Sequence, residues 1–164
     1  MSMSDDESLG IDFDTQRGRD WPSIRQFNIF VENRLGGLLN VVRRFEASDN
    51  TIISLTVNDS ADCAIIRVVP ANPERAYEIL RQAKLPFTES NLLVVQLPEG
   101  DEPLLDTFKT LLMGEINIHY AYPVLVSPTG RTALAIHVED IENAAATLER
   151  NGFRLFTEDD LGQD

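Results

Sequence analysis

The chain has 164 residues, 43% of them hydrophobic, enough to bury one sizeable core or two small ones. Its 27 acidic and 14 basic residues give a net charge of -13 and a pI near 4.4, so its mean field repels nucleic-acid phosphates and anionic lipid headgroups and argues against both as partners. A lone cysteine, Cys63, excludes an internal disulfide, no window reaches the roughly 18 apolar residues of a membrane span, and the polar N-terminus is no signal peptide, which together point to the cytoplasm.

Residues 1–24 read as an acidic flexible leader, with order beginning near Trp21-Pro22. The alternating run Gln26 to Glu32 predicts a first strand. It passes through Asn33-Arg34-Leu35-Gly36-Gly37 into Leu38, Leu39, Val41, Val42 and Phe45, which recur at helical spacing until Ser48-Asp49-Asn50. Two β-branched runs follow, Thr51 to Val57 and Cys63 to Val69, joined by the turn-forming Asn58 to Asp62. Asn72 is placed to cap a second helix with Pro73 in its first turn and Ala76, Ile79, Leu80 and Ala83 as its apolar stripe. Pro86-Phe87-Thr88 opens a last short strand, completing β-α-β-β-α-β.

The second half repeats this order. At one constant offset Leu38, Leu39, Val42, Phe45 and Ile52 fall on Leu104, Leu105, Phe108, Leu111 and Ile118. Beyond the Ser127-Pro128-Thr129-Gly130 turn the offset grows by two, placing Asn72, Ala76 and Leu80 on Asp140, Ala144 and Leu148. The expected fold is α+β: two tandem ferredoxin-like βαββαβ modules, residues 25–91 and 92–161, with antiparallel sheets, helices on one face, and 162–164 as a tail. Each sheet then has one uncovered face, and two units in one chain can cover each other. The acidic groups Asp5-Asp6-Glu7 and Glu158-Asp159-Asp160 read as solvated tails.

The Asn33 to Leu38 segment carries the chemistry. Two glycines let the backbone turn sharply from a strand into a helix N-terminus, whose unpaired amides and positive dipole end favour a small carboxylate. The side-chain amide of Asn33 both donates and accepts, which suits an α-amino acid. The same glycines also serve as a tight connection with no ligand, and spacing alone leaves both readings open.

The run Phe30 to Leu38, followed by Ile53 to Val57, resembles the start of an ACT domain, most of all the N-x-x-G-x-L pattern of acetohydroxyacid synthase regulatory subunits. The whole chain resembles stand-alone tandem ACT proteins, with the second half similar in layout more than in motif. That resemblance implies a ligand site from Asn33, Arg34, Leu35, Gly36, Gly37 and Leu38 with Thr51 and Ile52, at a domain interface that takes an amino acid. It also implies a non-enzymatic regulatory protein without cofactor, with a homodimer through sheet edges or helices, or a catalytic enzyme subunit, as partner. The alternatives are a small regulatory subunit of acetohydroxyacid synthase responding to branched-chain amino acids, and an interaction module whose pocket is degenerate. Leu35 stands where the family often has Pro or Ser.

The second repeat has Glu99, Glu102 and Pro103 at the positions of Asn33, Gly36 and Gly37. Its carboxylates are expected to cap the helix amides themselves, leaving no carboxylate ligand there. His119 and His137 flank the Ser127 to Gly130 turn and face each other only if the register permits. They read as strand residues rather than metal ligands, Cys63 reads as a small core hydrophobe, and Tyr120 and Tyr122 read as sheet packing or interface.

Overall fold

A computed structural model describes residues 22–32, 36–59 and 61–162. Its elements in chain order are β1 (Ile24–Glu32), α1 (Gly37–Ala47), β2 (Ile52–Asp59), β3 (Cys63–Pro70), α2 (Pro73–Gln82) and β4 (Phe87–Gln96). They continue as α3 (Pro103–Met113), β5 (Ile118–Pro123), β6 (Ala133–Val138), α4 (Ile141–Arg150), β7 (Leu155–Phe156) and the one-turn α5 (Glu158–Leu161).

The duplication extends to backbone detail. Asn72 and Asp140 cap α2 and α4 in the same way, each accepting the amide three residues on, at 3.1 Å in both cases. The left-handed residues that end the helices recur at matching positions, Asp49 (φ 54°) with Glu115 (φ 56°) and Lys84 (φ 57°) with Gly152 (φ 83°). So do the irregularities of the second strand of each unit, between Ile52 and Ser54 in β2 and between Ile118 and Tyr120 in β5. A bulge inserts one residue and increases the local twist, so its repetition bends both edges of the sheet alike.

All strands are antiparallel in one sheet of order β2-β3-β1-β4-β6-β5, with β7 also on β4. One continuous strand joins the units: Phe87 to Leu92 of β4 pair with β1, whereas Leu93 to Gln96 pair with β6 and Val94-Val95 with β7. The sheet curls until its two edges meet, where the Leu125 N–H donates to the Ile53 carbonyl at 2.7 Å and Ser54 Oγ to the Pro123 carbonyl at 2.9 Å.

Three apolar clusters follow from this curl. On the convex face Phe27, Ile29, Ile66 and Val68 pack under Val41, Phe45, Ala76 and Leu80 of α1 and α2. Leu93, Val95, Leu134 and Ile136 pack under Leu111, Ala144 and Leu148 of α3 and α4. The concave faces of the two halves close on each other through Ile24, Ile53, Val69, Leu92, Val94, Ala135 and Phe156. Strands covered on both faces read as unbroken apolar runs, which explains Leu92 to Val95 and Ala133 to Ile136.

Two expectations are corrected. Glu158-Asp159-Asp160 is no solvated tail: Thr157 and Asp160 form a capping box on α5, and Glu158 is buried against Arg25 of β1. At α3, Glu102 occupies the N-cap but its side chain makes no capping bond, and Glu99 reaches Arg131 at 2.6 Å instead. Cys63 is only half-buried. No helix among the described residues is long and apolar enough to cross a membrane.

Candidate functional site

The turn into α1 is built on Gly36, which takes φ 92° and ψ -7° at the N-cap. A side chain at this position would touch nothing within 4 Å, so glycine is required for its backbone angle and not for space. Gly37 packs on Val31, at 3.6 Å from a built Cβ. Its neighbour's carbonyl opens the helix, accepting the Asn40 amide at 2.9 Å. Among the described residues no side chain caps α1 and its first turn holds no acidic residue, so the positive end of its dipole has no anion of its own helix beside it. Leu38 and Leu39 beside them are exposed, at 39% and 56%. The matching point of the second unit lacks this turn, because Glu102 has φ -131° and Pro103 removes one donor.

Asn33, Arg34 and Leu35 lie outside the described residues. Thr51 and Ile52 lie at the far end of α1 from Gly36, Gly37 and Leu38. Nine residues of helix, Leu39 to Ala47, lie between the two groups, about 14 Å at 1.5 Å per residue. There Thr51 and Ile52 line an open cleft of about 720 Å³ with Val42, Glu46, Asp49, Asn50, Leu55 and, from the second unit, Leu125. Its two carboxylates and lack of a cation suit an ammonium group and oppose a carboxylate. Within one chain, then, the two halves of the implied pocket do not converge.

The concave face holds a polar cluster that sequence reasoning did not assemble. Gln26 is fully buried. Its amide nitrogen lies 3.0 Å from Asn28 Oδ1, 3.1 Å from Ser90 Oγ and 2.7 Å from the Tyr120 hydroxyl oxygen, three acceptors that share its two N–H donors, and its oxygen accepts the Tyr122 hydroxyl. Burial, reinforced by neighbouring Tyr120, pushes Tyr122 well above the usual phenol range against the opposing effect of Arg67, so it remains a protonated donor. The β5 bulge brings the histidines together, with ring centroids 5.2 Å apart. The visible signals were a glutamine at an inward strand position and an arginine inside Ile65-Ile66-Arg67-Val68-Val69. Among the described residues no three His, Cys, Asp or Glu side chains gather as a metal ion requires.

His137 is held below the usual histidine range, first by burial, then by the positive charges of His119 and Arg67. The folded state therefore disfavours its protonated form. Its contribution to stability is complete above the unfolded value of 6.5 and is lost as pH falls through the lower folded value. The melting temperature should thus drop between pH 7 and 5, and His137→Gln should flatten that drop. An unchanged slope in the variant would assign the pH dependence elsewhere.

A family model described as an ACT domain pair matches residues 22–163. No curated protein matches the sequence. Among solved structures, protein BT0572 from Bacteroides thetaiotaomicron superposes with a TM-score of 0.78 at 20% identity, covering 87% of this chain and 98% of that one. The ligand-free regulatory subunit of aspartate kinase from Thermus thermophilus superposes at 0.55 and 13% identity, covering 79% and 90%. The corresponding subunit from Thermus flavus gives 0.51 and 12%, covering 80% and 93%. At these identities the likeness concerns the fold.

Proposed function

We propose, from the premise that the chain belongs to the family of ACT domain pairs, that it is a non-enzymatic regulatory protein binding an amino acid at the Gly36 turn. The observation that carries this reading is the left-handed Gly36 N-cap, found at the first unit and not at Glu102 of the second, together with a first turn of α1 that holds no acidic residue where that of α3 holds Asp106. The ligand's α-carboxylate meets those amides, with Asn33, Arg34, Leu35, Gly37 and Leu38 around it. Thr51 and Ile52 complete the pocket from a second copy, since the length of α1 keeps them from doing so within one chain. A homodimer packed through α1, where Leu38 and Leu39 are exposed, brings the carboxylate-binding end of one copy to the acidic cleft of the other. Occupancy acts by favouring one arrangement of the units, to the extent that the ligand binds that arrangement more tightly. A catalytic enzyme subunit is the expected recipient of the signal.

Isothermal titration against the common amino acids tests the reading, with at least one expected to bind saturably at millimolar concentration or below. Gly36→Val forces a β-branched residue into positive φ, costing about 1–2 kcal/mol of stability, and is expected to weaken the ligand at least tenfold. Gly130→Val supplies the control, because Gly130 has φ +75° in an open turn and its replacement strains the backbone far from the site. Absence of saturable binding for every amino acid, or equal affinity in the Gly36 and Gly130 variants, would remove the assignment. Valine-sensitive activation of an acetohydroxyacid synthase catalytic subunit would identify that enzyme as the partner.

A further inference from the structure

The polar end of the concavity lies on the opposite face of the sheet from α1 and takes no part in the Gly36 turn. Four side chains from three strands stack there. The Arg67 guanidinium of β3 sits 4.8 Å from the Tyr120 ring centroid of β5. Tyr120 lies parallel to His137 of β6, at 4.7 Å and 5°, and His119 closes the stack on His137 at 5.2 Å.

In a chain with nearly two acids for every base, Arg67 has no carboxylate partner among the described residues. Across the sheet it pairs with Asn28 of β1 and Thr56 of β2, and Asn28 is tied by hydrogen bonds to Gln26, Thr88 and Ser90, and Gln26 to the two tyrosines, all uncharged. A half-buried guanidinium with five donors and no carboxylate partner among the described residues has hydrogen-bonding capacity to spare. Further unspent hydrogen-bonding capacity surrounds it. His137 Nδ1 is buried and has no partner. Tyr120 oxygen accepts from Gln26, which leaves its hydroxyl hydrogen to donate.

We propose that this concavity binds a small oxyanion, a carboxylate or phosphate, with the Arg67 guanidinium as anchor and the Tyr120 hydroxyl as second donor. A planar fork of N–H groups pairs two oxygens of either anion at once. The ring and guanidinium contacts of the stack join Arg67, Tyr120, Tyr122, His137 and His119.

The chain's two histidines make the test direct, because imidazole proton–carbon spectra of the full chain hold only two ring systems. Inorganic phosphate and succinate, titrated separately at one fixed pH, are the probes. The expected result is saturable movement of both histidines by at least one probe in the millimolar range. Saturation by phosphate alone assigns a tetrahedral ligand, and by succinate alone a carboxylate. Arg67→Gln should weaken binding at least tenfold, and Arg67→Lys, which keeps the charge but loses the fork, severalfold. Shifts that stay linear with both probes overturn the proposal, as does wild-type affinity in a folded Arg67 variant. Gly36→Val should leave this binding intact, so loss of amino-acid binding and loss of oxyanion binding are separable results.

Discussion

Gln26→Ala is expected to cost about 3 kcal/mol of folding stability, although the residue is polar and touches no apolar core of either helix layer. The amide stands fully buried on β1 and ties together side chains from β1, β4 and β5. Truncation leaves the Tyr122 hydroxyl, in a residue only 8% exposed, without its acceptor. A buried group so orphaned costs about 1–3 kcal/mol, and the void left by the missing atoms adds about 1 kcal/mol or more. Tyr122→Phe alone removes the stranded donor and should cost about 1 kcal/mol. In Gln26→Leu with Tyr122→Phe, shape is kept and one orphan removed, so the double variant should lose less than the sum of its singles. Urea unfolding followed by circular dichroism measures all four. A Gln26→Ala loss under about 0.5 kcal/mol would show that the network is replaceable by water.

Glu158→Ala should destabilise by about 2 kcal/mol, whereas Glu99→Ala should change stability by less than about 0.5 kcal/mol. Both remove a carboxylate from an arginine at short range. Arg25 holds Glu158 through Nε at 2.9 Å and a second guanidinium nitrogen at 3.2 Å, and its backbone amide donates as well, at 3.1 Å. The Glu158 side chain is 6% exposed and that of Arg25 30%, so water replaces the lost partner poorly. Glu99 is 84% exposed and Arg131 41%, and solvent screens that pair at little cost. Breaking the buried pair also releases α5 and the contact of Leu161 with the concave core. Amide exchange in β7 and α5 should therefore accelerate in Glu158→Ala more than in α1. Equal losses in the two variants would contradict the role assigned to burial.

The βαββαβ order, the helix caps and the duplication are properties of short windows. Asn72 and Asp140 announce themselves as caps because the side chain and the amide it accepts are three residues apart, and Phe45 and Leu111 repeat because the same helix face meets the same sheet. The glycine turn was legible for the same reason, since the constraint at Gly36 is its own backbone angle. The remainder of the candidate site was not. Thr51 and Ile52 share a motif with Gly36, yet α1 holds them apart by its length.

What the sequence by itself determined was therefore the local alphabet: which stretches are strands or helices, that the unit occurs twice, and that one unit keeps an uncapped glycine turn. The tertiary structure alone decided that β4 serves both units, that the sheet curls until Ile53 meets Leu125, that an acidic segment becomes a buried clasp on Arg25, and that Arg67, Tyr120 and the two histidines stack. Each of these joins residues distant in sequence, so it depends on which faces remain to be covered after the units form. Periodicity fixes the face a side chain occupies; only packing decides what that face meets.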